Sequence, residues 1–386
     1  MHIFYISATT GNAAVQSNLW GDNCVAALRG LGAKVTEFQG DLTETFKYLD
    51  TRNREHVKYI AKNRPVLSAE IVRQVKAAHA DDPVDVFFGG LYDACISTEA
   101  VQEIKALGIV TVNFYLNASY QLHLVETISP VYDWCLTVER FRMDDYRALG
   151  ARPEYCQMAA NPAVYRHYDG PYEFDVAFVG QRYGQRPEYI AAIADAGCDV
   201  HVWGPLWIPE PPIPEPTPKR IARRLLKLFT ASGVDAVKRR VGLAPAVVAA
   251  DPIAASARVH VGPPLSDDDM IRLYSRAKIN LGFGGCGETH LDGTKICQVK
   301  LRDFEVPMSG GFYLVEHCNE LAEFYEFGRE VETFSSCDEL VDKAKYYLAH
   351  DNEREKIRIA GYERCQRDHT WENRFRDAFR GMGLAI

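Results

Sequence analysis

Between Val299 and Glu316 the chain reads VKLRDFEVPMSGGFYLVE, which places Lys300, Arg302 and Glu305 within six residues. Pro307 interrupts any long helix, and Gly310 and Gly311 stop it just before the apolar run Phe312 to Val315. The spacing therefore predicts a short helix beginning near Arg302 and ending against a buried strand. Such a helix start offers backbone N–H groups and the positive end of its dipole to an anion, with Lys300 and Arg302 adding full charges. A diphosphate suits that place. Glu305, one turn further on, has the wrong charge for phosphate but suits the vicinal hydroxyls of a ribose, which donate two hydrogen bonds to one carboxylate. Read as structure alone, the same residues are a surface ion pair on adjacent helical turns.

The other polar groups narrow the chemistry. Asp267 and Asp269 form an Asp-x-Asp pair, but they follow Ser266 and precede Met270, Leu273, Tyr274 and Ala277 at helical spacing, so they read as the acidic first turn of a capped helix and not as metal ligands. Ten cysteines are scattered without a CxxC pair or a Cys/His spacing that suits zinc. No metal site is expected, and the thiols read as reduced, in a cytoplasmic chain. No signal peptide is read in the opening strand MHIFYIS, and no apolar run reaches the ~20 residues that span a bilayer. A formal net charge of −8 argues against a whole-surface attraction to nucleic acid.

These residues need elements to position them. Strand and helix signals alternate from the first residue: strand 2 to 7, a loop with Thr9, Thr10, Gly11 and Asn12, a helix over 14 to 30, then strands AKVTEFQ, VDVFFGG, IVTVNFY and DWCLTVE separated by helices near 97 to 107, 119 to 128 and 142 to 149. Apolar strands alternating with helices imply a parallel sheet buried on both faces. The text turns irregular around NPAVYRHYDGPY, and a second alternation starts at FDVAFVG. The fold class is therefore α/β, with two Rossmann-like domains facing a central cleft. The boundaries fall at 1–165 for the N-terminal domain and 172–368 for the C-terminal domain, with 369–386 as a last helix.

One insertion, 205–257, breaks the second alternation. Its first part, GPLWIPEPPIPEPTPKR, is rich in proline and reads as an extended spacer. Residues 219–240 are basic, with Ile221, Leu225 and Leu228 at helical spacing. They read first as a solvated helix packed on its own domain, and second as a peripheral surface for anionic membrane.

The stretch SDDDMIRLYSRAKINLGF, together with QVKLRDFEVPMSGGFYLVEHC and the residues that follow to TWENRF, resembles the carboxyl-terminal domain of the group 1 glycosyltransferase superfamily, in particular its spore-maturation-protein-like branch. The resemblance is strong over about 110 residues and holds only in outline for the amino-terminal half. It implies a GT-B fold whose second lobe holds a nucleoside-diphosphate sugar as donor substrate and whose first lobe holds an acceptor of unspecified identity. It puts the ribose-binding glutamate at Glu305 and diphosphate-binding residues in FVGQRYGQR, at Gly180, Arg182 and Arg186. Related retaining enzymes carry a second glutamate eight residues earlier, where this chain has Cys297. The sugar would then be lined by the loop 284–298, with Glu288, His290 and Asp292 as its polar groups. His369, Thr370 and Trp371 match the family's crossing helix.

No metal is implied, because GT-B enzymes usually stabilise the leaving diphosphate with cations and a helix end. A base, if used, belongs to the first lobe: Asp93 ranks first and His123 second, while Asn117 stands where many relatives have an aspartate. As structure alone, Asp93 reads as a helix cap and His123 as a packed helix residue. A nucleotide-sugar epimerase or hydrolase on the same fold is the runner-up reading, and a non-catalytic binding or coat protein the third.

Overall fold

The computed structural model describes residues 1–7, 19–208, 251–254, 256–287, 289–293 and 295–386. The first lobe runs β1 (His2–Ser7), α1 (Leu19–Gly30), β2 (Lys34–Glu37), α2 (Arg54–Asp81), β3 (Val86–Gly90), α3 (Thr98–Lys105), β4 (Val110–Tyr115), α4 (Ala118–Gln121), β5 (Trp134–Thr137), α5 (Met143–Ala148) and β6 (Pro153–Tyr155). The second runs β7 (Phe174–Val179), α6 (Arg186–Asp195), β8 (Val200–Trp203), β9 (Val259–Gly262), α7 (Asp267–Arg276), β10 (Ala277–Gly282), α8 (Arg302–Met308), β11 (Tyr313–Glu316), β12 (Glu332–Phe334), α9 (Cys337–Ala349), α10 (Asp351–Asp368) and α11 (Trp371–Gly381). Among the described residues no helix is long and apolar enough to cross a membrane.

Each lobe holds one six-stranded parallel sheet, ordered β2-β1-β3-β4-β5-β6 in the first and β12-β11-β10-β7-β8-β9 in the second. The runs FYI, VFF and AFV put Phe4, Phe87, Phe88 and Phe178 almost wholly out of water, because helices cover both faces. In the second lobe the strand order reverses between β7 and β10, and a ligand crevice forms outside the carboxyl ends of such a pair. The loops leaving those two strands are 180–185 and 283–301.

Ser266 caps α7 as expected, its hydroxyl accepting from Asp269 N at 3.2 Å. The helix expected over 119 to 128 is cut short: α4 ends at Gln121 and one 3-10 turn follows, Leu122–Leu124. Asp93 is the reason. Its carboxylate accepts from Thr127 N and Ile128 N, both at 3.0 Å, and its own N–H bonds Leu124 O at 2.9 Å, so this backbone folds around a side chain and not into a helical ladder.

The chain crosses back to the first lobe at its end. His369 closes α10, Thr370 caps α11 by accepting from Asn373 N at 3.2 Å, and α11 packs against α1 and β6. Phe379 stacks on Phe88 of β3 at 6.3 Å, and Trp371 meets Phe114 of β4 edge-on at 6.1 Å. The outgoing and returning strands of the junction touch where Ala160 N bonds His369 O at 3.1 Å.

Candidate active site

The loop after β7 is tied down from β8. Gly180 N bonds Trp203 O at 2.8 Å, and Gly180 O accepts from the indole N–H of the buried Trp207 at 2.6 Å. A Cβ at Gly180 would lie 2.6 Å from the Phe178 ring and 3.3 Å from Nη1 of Arg302, so glycine here leaves room for that guanidinium. Arg302, the first residue of α8, lies over Phe178 at 5.8 Å and donates through Nε to Tyr274 Oη at 3.3 Å. Arg186, the first residue of α6, is 7% exposed and lies 3.7 Å from the centre of the Tyr183 ring. Its Nη1 donates to Gln181 O at 2.7 Å and its Nη2 to Tyr183 Oη at 2.5 Å.

Burial, with the neighbouring charge of Arg302 acting in the same direction, lowers Arg186 to about 10. Among the described residues neither guanidinium has a carboxylate within salt-bridge distance. Glu305 and Glu316 are the nearest opposing carboxylates, and with neither of them in an ion pair to these guanidiniums the two like charges favour an anion between them.

The loop after β10 forms the opposite wall. Tyr183, Arg186, Cys286, His290, Lys295 and Glu316 line a small, partly open cavity of about 20 Å³. Glu316, at the end of β11, accepts from Gly285 N at 3.1 Å and pairs with Lys295, which also donates to Gln185 Oε1 at 3.0 Å. This knot joins the loops after β7, β10 and β11. Lys300 N is occupied by the Asp303 carboxylate at 2.8 Å, so side chains, and not the open start of α8 expected from the sequence, give this place its positive character.

A model of a family described as glycosyl transferase-like matches residues 186–380, from Arg186 to the penultimate residue of α11. The chain belongs to the glycosyl transferase-like family. Solved structures resemble this glycosyltransferase along its whole length: sucrose-phosphate synthase from Thermosynechococcus elongatus, at 13% identity over 99% of both chains with a TM-score of 0.57; HepE from Anabaena in complex with UDP-glucose, at 10% identity over 99% of both chains with a TM-score of 0.56; and a glycosyltransferase from Rickettsia africae, at 10% identity over 99% of this chain and 97% of the other with a TM-score of 0.56. At these identities the likeness is one of fold, the two-domain GT-B arrangement. No curated protein matches the chain in sequence. The family match is coarser than the spore-maturation-protein-like branch.

Within the glycosyltransferase, the residues expected at the donor site separate. Arg186, Arg302 and Gly180 come together, and His290 joins Arg186 in the lining of the cavity. Arg182 is turned elsewhere, its Nη2 paired with Asp251 Oδ1 at 2.7 Å. Glu288 and the Asp292 side chain lie outside the described residues, as do 8–18 and 209–250, which include Thr9 to Asn12 and the basic run 219–240. Gly310 and Gly311 serve packing: Gly310 has φ 70° and a Cβ there would lie 2.6 Å from the His167 ring, while one on Gly311 would lie 2.6 Å from Tyr274 O. Glu305 is 4% exposed, and its Oε1 accepts from Tyr165 Oη at 2.5 Å, a hydrogen bond from the segment joining the lobes. Burial raises the Glu305 carboxyl, and the charge of Arg302 opposes that shift.

The first-lobe candidates are placed away from the cation pair. Asp93 is 1% exposed with both oxygens on backbone N–H groups, and His123 lies 3.9 Å from Asp50, a residue of its own lobe. The residue missed by sequence reasoning is Glu139, two positions beyond β5. It is fully buried, accepts from Ser119 N at 3.2 Å and Thr137 Oγ1 at 2.9 Å, and burial pushes its carboxyl up to about 7. A charged residue just past the carboxyl end of an apolar strand, in DWCLTVE, was the available signal.

Proposed function

We propose that this glycosyltransferase moves a sugar from a nucleoside-diphosphate sugar to an acceptor hydroxyl, with the diphosphate held between Arg186 and Arg302. The observation that carries this reading is the pair of guanidiniums, Arg186 buried and Arg302 half-buried, with no carboxylate at salt-bridge distance among the described residues, at the strand-order reversal of the second lobe. Charge-assisted hydrogen bonds to phosphate there supply roughly 1.5–3 kcal/mol each and strengthen as charge develops on the leaving group. HepE, of the same fold, is solved with UDP and with UDP-glucose, which supports a nucleotide sugar as the donor class. Glu305 would take the ribose through Oε2, which has no hydrogen-bond partner among the described residues, and His290 would line the sugar side. The acceptor would enter from the first lobe.

Leaving-group stabilisation by Arg186, Arg302 and Lys300 needs no metal and no further cofactor. Among the described residues no three His, Cys, Asp or Glu side chains are grouped to hold a metal ion. Transfer should therefore continue in EDTA once a donor is found by thermal-shift screening against UDP, GDP, ADP and dTDP sugars. Loss of activity in EDTA with recovery in manganese or magnesium would contradict this reading of the leaving group. Sugar conversion without an acceptor would favour an epimerase or hydrolase. From its sequence, the run 219–240 is proposed as a peripheral contact with anionic membrane, and salt-sensitive retention on anionic but not neutral vesicles is the test.

A further inference from the structure

A second cavity opens between the lobes. It measures about 510 Å³, within the size range of small-molecule sites, against about 20 Å³ for the cavity beside Arg186. Arg140 and Phe141, just past the carboxyl end of β5, form one wall, and Cys297 with residues 317–320 and 323, just past β11, form the other. The two cavities adjoin. Glu316 lines the donor-side cavity and His317, the next residue, lines this one; Gly285 and Cys297, paired in an antiparallel bridge, divide in the same way. A ligand here lies across a single two-stranded ribbon from the donor side.

The charges of this cavity are already occupied. Arg140 Nε donates to Glu323 Oε2 at 3.1 Å across the lobes while its guanidinium lies 3.7 Å from the centre of the Tyr155 ring, and Glu320 accepts from Tyr155 Oη at 2.6 Å. A phosphate would meet two carboxylates and a guanidinium that is paired, so the cavity does not suit an anion. A ring and neutral polar groups stay open. Phe141 is 49% exposed, although Arg142 lies 5.7 Å from its centre, and a phenyl ring half in water gains by covering its face. On the facing wall His317 Nε2 and Asn319 Oδ1 are hydrogen-bonded at 3.0 Å, and the Asn319 amide nitrogen has no hydrogen-bond partner among the described residues. An apolar ring opposite groups that donate and accept matches a pyranose, whose C–H face is apolar and whose hydroxyls do both.

We propose that this interlobe cavity is the acceptor site and that the acceptor is an uncharged saccharide, with Phe141 against the sugar ring and His317 and Asn319 on its hydroxyls. The assignment rests on the transferase reading above and gives its acceptor a place and a chemical class. Because Phe141 belongs to one lobe and Asn319 to the other, the saccharide is gripped from both sides only when the lobes stand together.

Binding can be read without knowing the donor sugar. The methyl glycosides of glucose, galactose, mannose and N-acetylglucosamine are presented to the full-length protein, with and without UDP, and followed by saturation-transfer difference NMR. At least one should bind, with its ring C–H protons closest to the protein, and Phe141→Ala should weaken it roughly tenfold. Asn319→Ala should weaken it roughly fivefold. Both side chains are exposed, so neither substitution threatens the fold, and calorimetric affinity for UDP, GDP, ADP and dTDP should stay within about twofold of the wild type. Glucose 6-phosphate should bind no more tightly than methyl glucoside. No glycoside bound in either condition, binding unchanged in both variants, or a clear preference for the phosphorylated sugar each overturns the proposal. If none of the diphosphates binds while a glycoside still loses affinity in Phe141→Ala, the transferase reading fails, and the cavity is a saccharide site whose assignment to an acceptor is overturned.

Discussion

Two buried carboxylates, Glu305 and Glu139, give the residue-scale predictions, and for Glu305 a paired substitution separates ribose binding from a structural role. If Glu305 serves ribose, Glu305→Gln should weaken binding of a plain nucleoside roughly tenfold, in keeping with a lost charge-assisted bond. Tyr165→Phe, which removes only the interlobe hydrogen bond, should leave that affinity within about twofold. Comparable losses in both variants, measured by calorimetry, would make the pair a structural latch. Glu139 makes a prediction of opposite pH sense to an ordinary ion-paired acid. Its folded value of about 7 lies above the unpaired value of about 4.3, so the folded chain holds a proton that the unfolded chain has released. The stabilisation is full below about pH 4 and is lost as pH rises toward 7. Melting temperatures of Glu139→Gln should therefore gain on the wild type between pH 5 and pH 8, and a constant difference would contradict the shift.

Elements were the most legible level. Apolar runs such as VDVFFGG and FDVAFVG sit where alternation put strands, because burial on both faces leaves a signature that needs no partner to be recognised. The helix expected to 128 failed because Asp93, far off in sequence, recruits the backbone of Thr127 and Ile128, and no local pattern encodes that contact. The cation site was half legible. Arg302 stood out at the start of a predicted helix and Arg186 through the family resemblance, whereas the diversion of Arg182 to Asp251 depends on a turn that periodicity does not specify. Glu139 was hidden as the last letter of a strand. Gly311, beyond the end of α8, and Gly180, in the loop after β7, should both resist a methyl group. Gly311→Ala, with its Cβ 2.6 Å from Tyr274 O, should cost on the order of 1–3 kcal/mol of stability by thermal or denaturant melts. Gly180→Ala, with its Cβ 2.6 Å from the buried Phe178 ring and 3.3 Å from Arg302 Nη1, should lower stability to a similar extent and also lower diphosphate affinity.

At the scale of the whole molecule, the lobes are joined by the junction at Ala160 and His369 and by α11, whose aromatic side chains complete the core of the first lobe. Phe375 is fully buried against Phe88 and Phe114, and Phe375→Ala should cost about 3–5 kcal/mol, with the first lobe melting ahead of the second. Within the second lobe, Arg186 and Arg302 are assigned as the diphosphate site of a sugar-nucleotide transferase. The most direct measurement is calorimetric binding of the tightest nucleoside diphosphate and of its parent nucleoside to the wild type, Arg186→Gln and Arg302→Gln. Each substitution is predicted to weaken the diphosphate by roughly tenfold or more and to leave the nucleoside within about twofold. Equal affinity of all three proteins for the diphosphate would contradict the assignment.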